Sequence, residues 1–84
     1  MPRYTLPSDP ALSAALVTPS DSADLPNYSR FLYIGTGGTN KDLRVTTLNG
    51  HDVVFKNVAA GVFPVQAVKV WDTGTSVSNI VAMW

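Results

Sequence analysis

The sequence contains no cysteine, and charged residues occupy only 14% of its 84 positions. Without cysteine there is no disulfide framework. A lone histidine, His51, cannot close a structural zinc site by itself, so no metal and no cofactor is expected. An average soluble domain carries roughly 25% charged residues, and the deficit here leaves too little charge to solvate a free surface comfortably. Lys and Arg total 6, match the 6 acidic residues and never cluster, which excludes the basic footprint of a nucleic-acid-binding protein. No stretch approaches the roughly 20 apolar residues that span a bilayer, so no membrane partner is expected. Met1-Pro2-Arg3-Tyr4 is not followed by the apolar core of a signal peptide, and synthesis in the cytoplasm is expected. Glutamate is missing as well, since every acidic residue is Asp.

What replaces these residues is strand chemistry. Val, Ile and Thr supply 21 positions. β-Branched side chains lose rotamer freedom in a helix and pack well on a pleated surface, so the expected class is all-β. A chain of this length allows one domain and buries only about 60–65% of the surface that its unfolded form exposes. With 45% hydrophobic content and zero formal net charge, part of its surface is expected to be covered by other subunits, so a homo-oligomer is predicted.

Pro2, Pro7 and Pro10 lack backbone donors and break any ladder, so residues 1–14 read as an irregular N-terminal arm before a single β domain over 15–84. Ser8 or Asp9 could cap one helical turn over 10–15. Leu16-Val17-Thr18 reads as a short strand closed by the turn residues Pro19-Ser20-Asp21-Ser22. Arg30 to Ile34 is apolar on both faces, which predicts a central strand covered on two sides.

The hairpin around Asn49-Gly50 has a register that can be argued. A two-residue loop would pair Leu48 with His51 and set Leu43 opposite Lys56, mixing apolar and charged groups on each face. A three-residue loop, Leu48-Asn49-Gly50, puts Gly50 at the left-handed bulge position. Thr47 then pairs with His51, Val45 with Val53 and Leu43 with Phe55, and one face becomes cleanly apolar. Val62 to Thr73 reads as one long strand with apolar groups on both sides: Val68 and Val70 on one, Ala67, Lys69 and Trp71 on the other. Asn79 to Trp84 reads as a final strand with Ile80, Ala82 and Trp84 on one side. About six short strands joined by turns predict a small antiparallel β-sandwich, jelly-roll-like.

No motif carries catalysis. Gly35-Thr36-Gly37-Gly38-Thr39-Asn40-Lys41 resembles a phosphate loop only in composition, since Asp42 follows the lysine and a strand, not a helix, comes next. His51 sits beside a turn with no nucleophile signature near it, so the chain is expected not to be an enzyme. Tyr28, Tyr33, Trp71 and Trp84 could form a sugar-stacking platform. Aromatics at strand positions, however, are more often core or subunit-contact residues. Tyr4, Leu6, Trp71 and Trp84 are the expected assembly-interface residues, the first two as apolar anchors of the arm.

Several stretches taken in order resemble one family. They are Val17-Thr18-Pro19-Ser20-Asp21, Phe31-Leu32-Tyr33-Ile34-Gly35-Thr36-Gly37-Gly38 and Asp42-Leu43-Arg44-Val45-Thr46-Thr47-Leu48-Asn49-Gly50. Phe55-Lys56-Asn57-Val58-Ala59-Ala60-Gly61, Val70-Trp71-Asp72-Thr73-Gly74-Thr75 and Ile80-Val81-Ala82-Met83-Trp84 follow at similar spacing. This set, over residues 15–84, resembles the head spike base family of gene transfer agents and related tailed phages. The resemblance implies a structural protein of a phage-like particle, made in the bacterial cytoplasm and sitting on capsid vertices as a pentamer. It implies the major capsid protein and a spike fibre protein as partners. The anchored fibre would contact the host cell surface, with cell-surface polysaccharide met only indirectly. A small carbohydrate-binding module and a tail or baseplate accessory subunit are the alternatives.

Overall fold

The computed structural model describes residues 13–84. Seven strands build two sheets: β1 Ala14–Leu16, β2 Phe31–Thr36, β3 Leu43–Thr47, β4 Asp52–Phe55, β5 Gly61–Phe63, β6 Ala67–Val70 and β7 Ser78–Met83. The four-stranded sheet runs β1-β7-β2-β5 and the three-stranded sheet β4-β3-β6, with every pairing antiparallel. This is the strand order of a jelly roll of eight strands with the second one missing. Residues 20–25 take its place beside β6, where Ser20 N–H donates to the Val70 carbonyl at 2.9 Å and Leu25 N–H to that of Val68 at 2.7 Å. The expected all-β sandwich is the observed fold.

Alternation explains the core. Leu32 and Ile34 on β2 and Ile80 and Ala82 on β7 meet Leu43 and Val45 on β3 and Ala67 and Val70 on β6, all buried, with Val17, Val58 and Val77 closing the ends. Among the described residues Ser29 is the buried polar one, and it is fully satisfied. Its hydroxyl donates to the Val65 carbonyl and accepts from Ala67 N–H, both at 3.1 Å.

The hairpin has the three-residue register. Leu43 faces Phe55 and Val45 faces Val53, while Gly50 stands at φ 87°. Other expectations are corrected. The first strand lies two residues earlier than Leu16-Val17-Thr18. Of the helical turn expected over 10–15, residues 10–12 lie outside the described residues, and Ala14 and Ala15 are in β1. The long strand expected over Val62 to Thr73 is two strands in different sheets. Pro64 has no N–H to give a ladder, and a Val65 N–H to Phe63 carbonyl turn at 2.9 Å sends the chain across the sandwich. Within β6, a bulge between the pairs Thr46–Lys69 and Thr47–Ala67 adds Val68 as an unopposed residue, so Ala67 and Val70 both turn inward, against the expected sides. β2 is central in its sheet, but among the described residues only its Leu32–Ile34 face is covered, and Tyr33 is exposed.

Candidate assembly surfaces

The two outer faces of the sandwich differ in kind. On the three-stranded sheet, β3 and β6 bring Arg44, Thr46, Lys69 and Trp71 together, because Thr46 pairs with Lys69 and the Trp71 N–H donates to the Arg44 carbonyl at 2.9 Å. The Arg44 guanidinium and the Lys69 ammonium each lie 3.8 Å from the Trp71 ring centroid, and the indole Nε1 donates to Thr46 Oγ1 at 3.0 Å. Arg44 also forks onto Asp52, with Nε to Oδ1 at 3.1 Å and Nη2 to Oδ2 at 2.8 Å. That contact holds the Asp52 carboxyl below its ordinary pKa.

Asp21 belongs to the same cluster. Its Oδ1 accepts from the Thr73 N–H at 2.8 Å, its Oδ2 accepts from the Thr73 hydroxyl, and its carbonyl accepts from Lys69 Nζ at 2.7 Å. The hydroxyl bond first, then the backbone bond, holds the Asp21 carboxyl below its ordinary pKa. These contacts fix residues 20–25 against β6 and satisfy the polar groups of this face internally.

The outer face of the four-stranded sheet is apolar. Register aligns Leu16 with Val81, Val81 with Tyr33 and Tyr33 with Val62, one residue from each strand in a single row. Ala14, Met83 and Phe31 form the next row. Neither row contains a charge. Leu16 is 74% exposed, Val62 63% and Tyr33 44%, so the row lies open to water.

Of the expected interface residues, Trp71 and Trp84 stand apart. Trp71 is held on the polar sheet with a cation near the ring on either side. Trp84 follows β7, packs partly buried against the core and exchanges both backbone hydrogen bonds with Ser13. Tyr4 and Leu6 lie outside the described residues. Trp71, Trp84 and Tyr33 stand on different surfaces, so these three of the four aromatics do not share a stacking platform. Sequence reasoning missed the Leu16–Val81–Tyr33–Val62 row. Its signal is the apolar second face of Phe31 to Ile34, in a strand expected to be covered on two sides.

His51 is exposed at the hairpin, and its N–H donates to Thr47 Oγ1 at 3.1 Å. The glycine-rich segment has a packing reason. A Cβ on Gly37 would stand 2.3 Å from the Val58 carbonyl oxygen, and one on Gly35 2.7 Å from Asn79 Cβ, so both positions require a bare backbone. Among the described residues no group of three or more His, Cys, Asp or Glu could hold a metal ion, and no helix is long and apolar enough to cross a membrane.

No protein-family model and no curated protein matches the chain. Among solved structures, a chain of the capsid of a native gene transfer agent particle, computed with C5 symmetry, is 32% identical with a TM-score of 0.81. The match covers 96% of this chain and 92% of that one, so it takes in both sheets and is not a likeness of one hairpin. A whole-domain match at this identity shows common descent as well as common architecture, and the chain belongs to the family of that gene transfer agent capsid component.

Proposed function

We propose that this chain is a head spike base: a non-enzymatic subunit that sits in a ring on capsid vertices and anchors the fibre contacting the host cell. The observation that carries the reading is the whole-domain similarity to a capsid component of a particle computed with C5 symmetry. A subunit repeated about a five-fold axis fits a capsid vertex. Physical features support it. The sandwich satisfies the polar groups of one outer face by itself and leaves the other uncharged and open, as a subunit that buries surface in an assembly does. The major capsid protein and a spike fibre protein are the proposed neighbours. Of the arm expected over 1–14, Ser13 and Ala14 pair with the last strand of the same chain, and residues 1–12, with Tyr4 and Leu6, are the proposed arm onto an adjoining chain. Trp71 and Trp84 complete the proposed interface set.

Reconstruction of particles made with and without the protein tests this reading. Density at the vertices, and fibres with it, should disappear in its absence, along with attachment to cells. Density that persists at the vertices, or a loss confined to the tail, would favour the accessory-subunit alternative.

A further inference from the structure

A two-sheet sandwich has four edges, and the two of the three-stranded sheet are protected here. β6 is covered by residues 20–25 through the Ser20 and Leu25 N–H groups. β4 carries Asp52, with Lys56 just beyond it, so charge guards that edge. In the four-stranded sheet, β5 ends before Pro64 and carries no charge, and its Val62 is exposed. β1 has neither charge nor proline, all three of its residues are exposed, and no described residue pairs with its free side.

The hydrogen-bond alternation can be followed across the sheet. Ser13 and Trp84 exchange both backbone bonds and Val17 N–H donates to the Ile80 carbonyl, so the odd-numbered residues of this segment face β7. Ala14 and Leu16 therefore direct their N–H and C=O groups outward. Carried through β7 and β2, the same alternation turns Gly61 and Phe63 toward β2 and leaves the N–H and C=O of Val62 pointing off the opposite edge. Among the described residues, Leu16 and Val62 are also the two most exposed large apolar residues. They lie at the two ends of one row, on one face.

We propose that β1 of one copy pairs with β5 of the next, with Leu16 opposite Val62 of the neighbouring copy. This rests on the reading of the chain as a repeated particle subunit. Strand direction agrees: four alternately directed strands give the sheet two edges of opposite direction, so copies joined head to tail continue an antiparallel ladder. Side-chain direction agrees too, because both residues project from the outer face and opposed residues in an antiparallel pair share a face. The joint fills the outward backbone groups of both edges. It is heterologous, so it repeats until a ring closes.

Engineered cysteines test it cleanly, since the chain has none of its own. Opposed residues of a hydrogen-bonded pair lie about 5.5 Å apart at Cα, within disulfide range. Purified Leu16→Cys and Val62→Cys proteins, mixed and mildly oxidised, should give a cross-linked dimer of twice the 9.0 kDa chain mass, and the double variant a series of higher multiples. Neither variant alone should cross-link. Leu16→Cys cross-linking to itself would show a two-fold β1–β1 joint and overturn the proposal. Absence of cross-links from protein that native mass spectrometry finds oligomeric, or that still co-purifies with particles, would overturn this joint and leave the proposed function standing. Protein that is monomeric and absent from particles would remove both.

Discussion

Thr47 holds His51 twice across the hairpin loop: its N–H donates to the His51 carbonyl at 2.8 Å, and its hydroxyl accepts the His51 N–H at 3.1 Å. The Gly50 N–H closes on the Thr47 carbonyl at 2.8 Å, so the loop is pinned through one threonine. Gly50→Ala, forced into φ 87°, should cost about 1–2 kcal/mol in urea unfolding with the m-value unchanged. A cost below a few tenths would mean that the bulge does not set the register.

His51 itself is exposed and contributes its backbone. His51→Ala should change stability by no more than about 0.5 kcal/mol and leave particle attachment intact. A folded, assembled variant that no longer attaches would assign the imidazole a role not proposed above.

The Arg44–Trp71–Lys69 stack should depend on ring geometry more than on charge count. Trp71→Phe keeps a ring between the cations but drops the Nε1 bond to Thr46, and should cost about 1 kcal/mol. Trp71→Ala should cost distinctly more by chemical denaturation. Equal costs for the two would place the stabilisation in the hydrogen bond alone.

Asp21 and Asp52 predict an acid response. Both carboxyls sit below their ordinary pKa in the fold, so the unfolded chain binds protons more readily. Their contribution is full above about pH 4, the ordinary carboxylate range, and is lost as pH falls through the lower folded values. Tm measured from neutral pH downward should drop in acid, and the drop should be smaller in Asp21→Asn, which has already lost the charge. An identical profile in that variant would exclude Asp21 as a source.

Core and backbone contacts give the largest effects. Ile34→Ala should cost about 2–5 kcal/mol by leaving a cavity between the sheets. Gly37→Ala, with its Cβ driven against the Val58 carbonyl, should cost about 1–3 kcal/mol although it adds one methyl. If Gly37→Ala proves neutral, the close approach of these two backbones is wrong.

What was legible in the sequence was local. The hairpin register followed from alternation on both sides of a Gly-containing loop, with every partner within a dozen residues. Non-local features were not legible. Nothing between Val62 and Trp71 marks the crossing between sheets except Pro64, which an edge strand also tolerates, and the Val68 bulge reverses sides without a signature residue. Lys69 and Trp71 on one face could be read from spacing of two. Arg44 over the same ring required knowing that β3 pairs with β6. The apolar outer row was half visible: the Phe31 to Ile34 alternation showed a second apolar face, but not that no described strand covers it.

The pairing of Ser13 with Trp84 has a kinetic consequence. β1 can be placed only against β7, so the edge that it presents arises from the most distant contact in the described chain. Loop closure over that separation is slow relative to a hairpin turn, and domains ruled by such pairings fold in milliseconds to seconds. A chain still searching for that closure presents β7, not β1, at this border. In the proposed joint, a subunit therefore holds both of its edges only once β1 has closed on β7, and premature association is limited by the order in which the chain ties itself together.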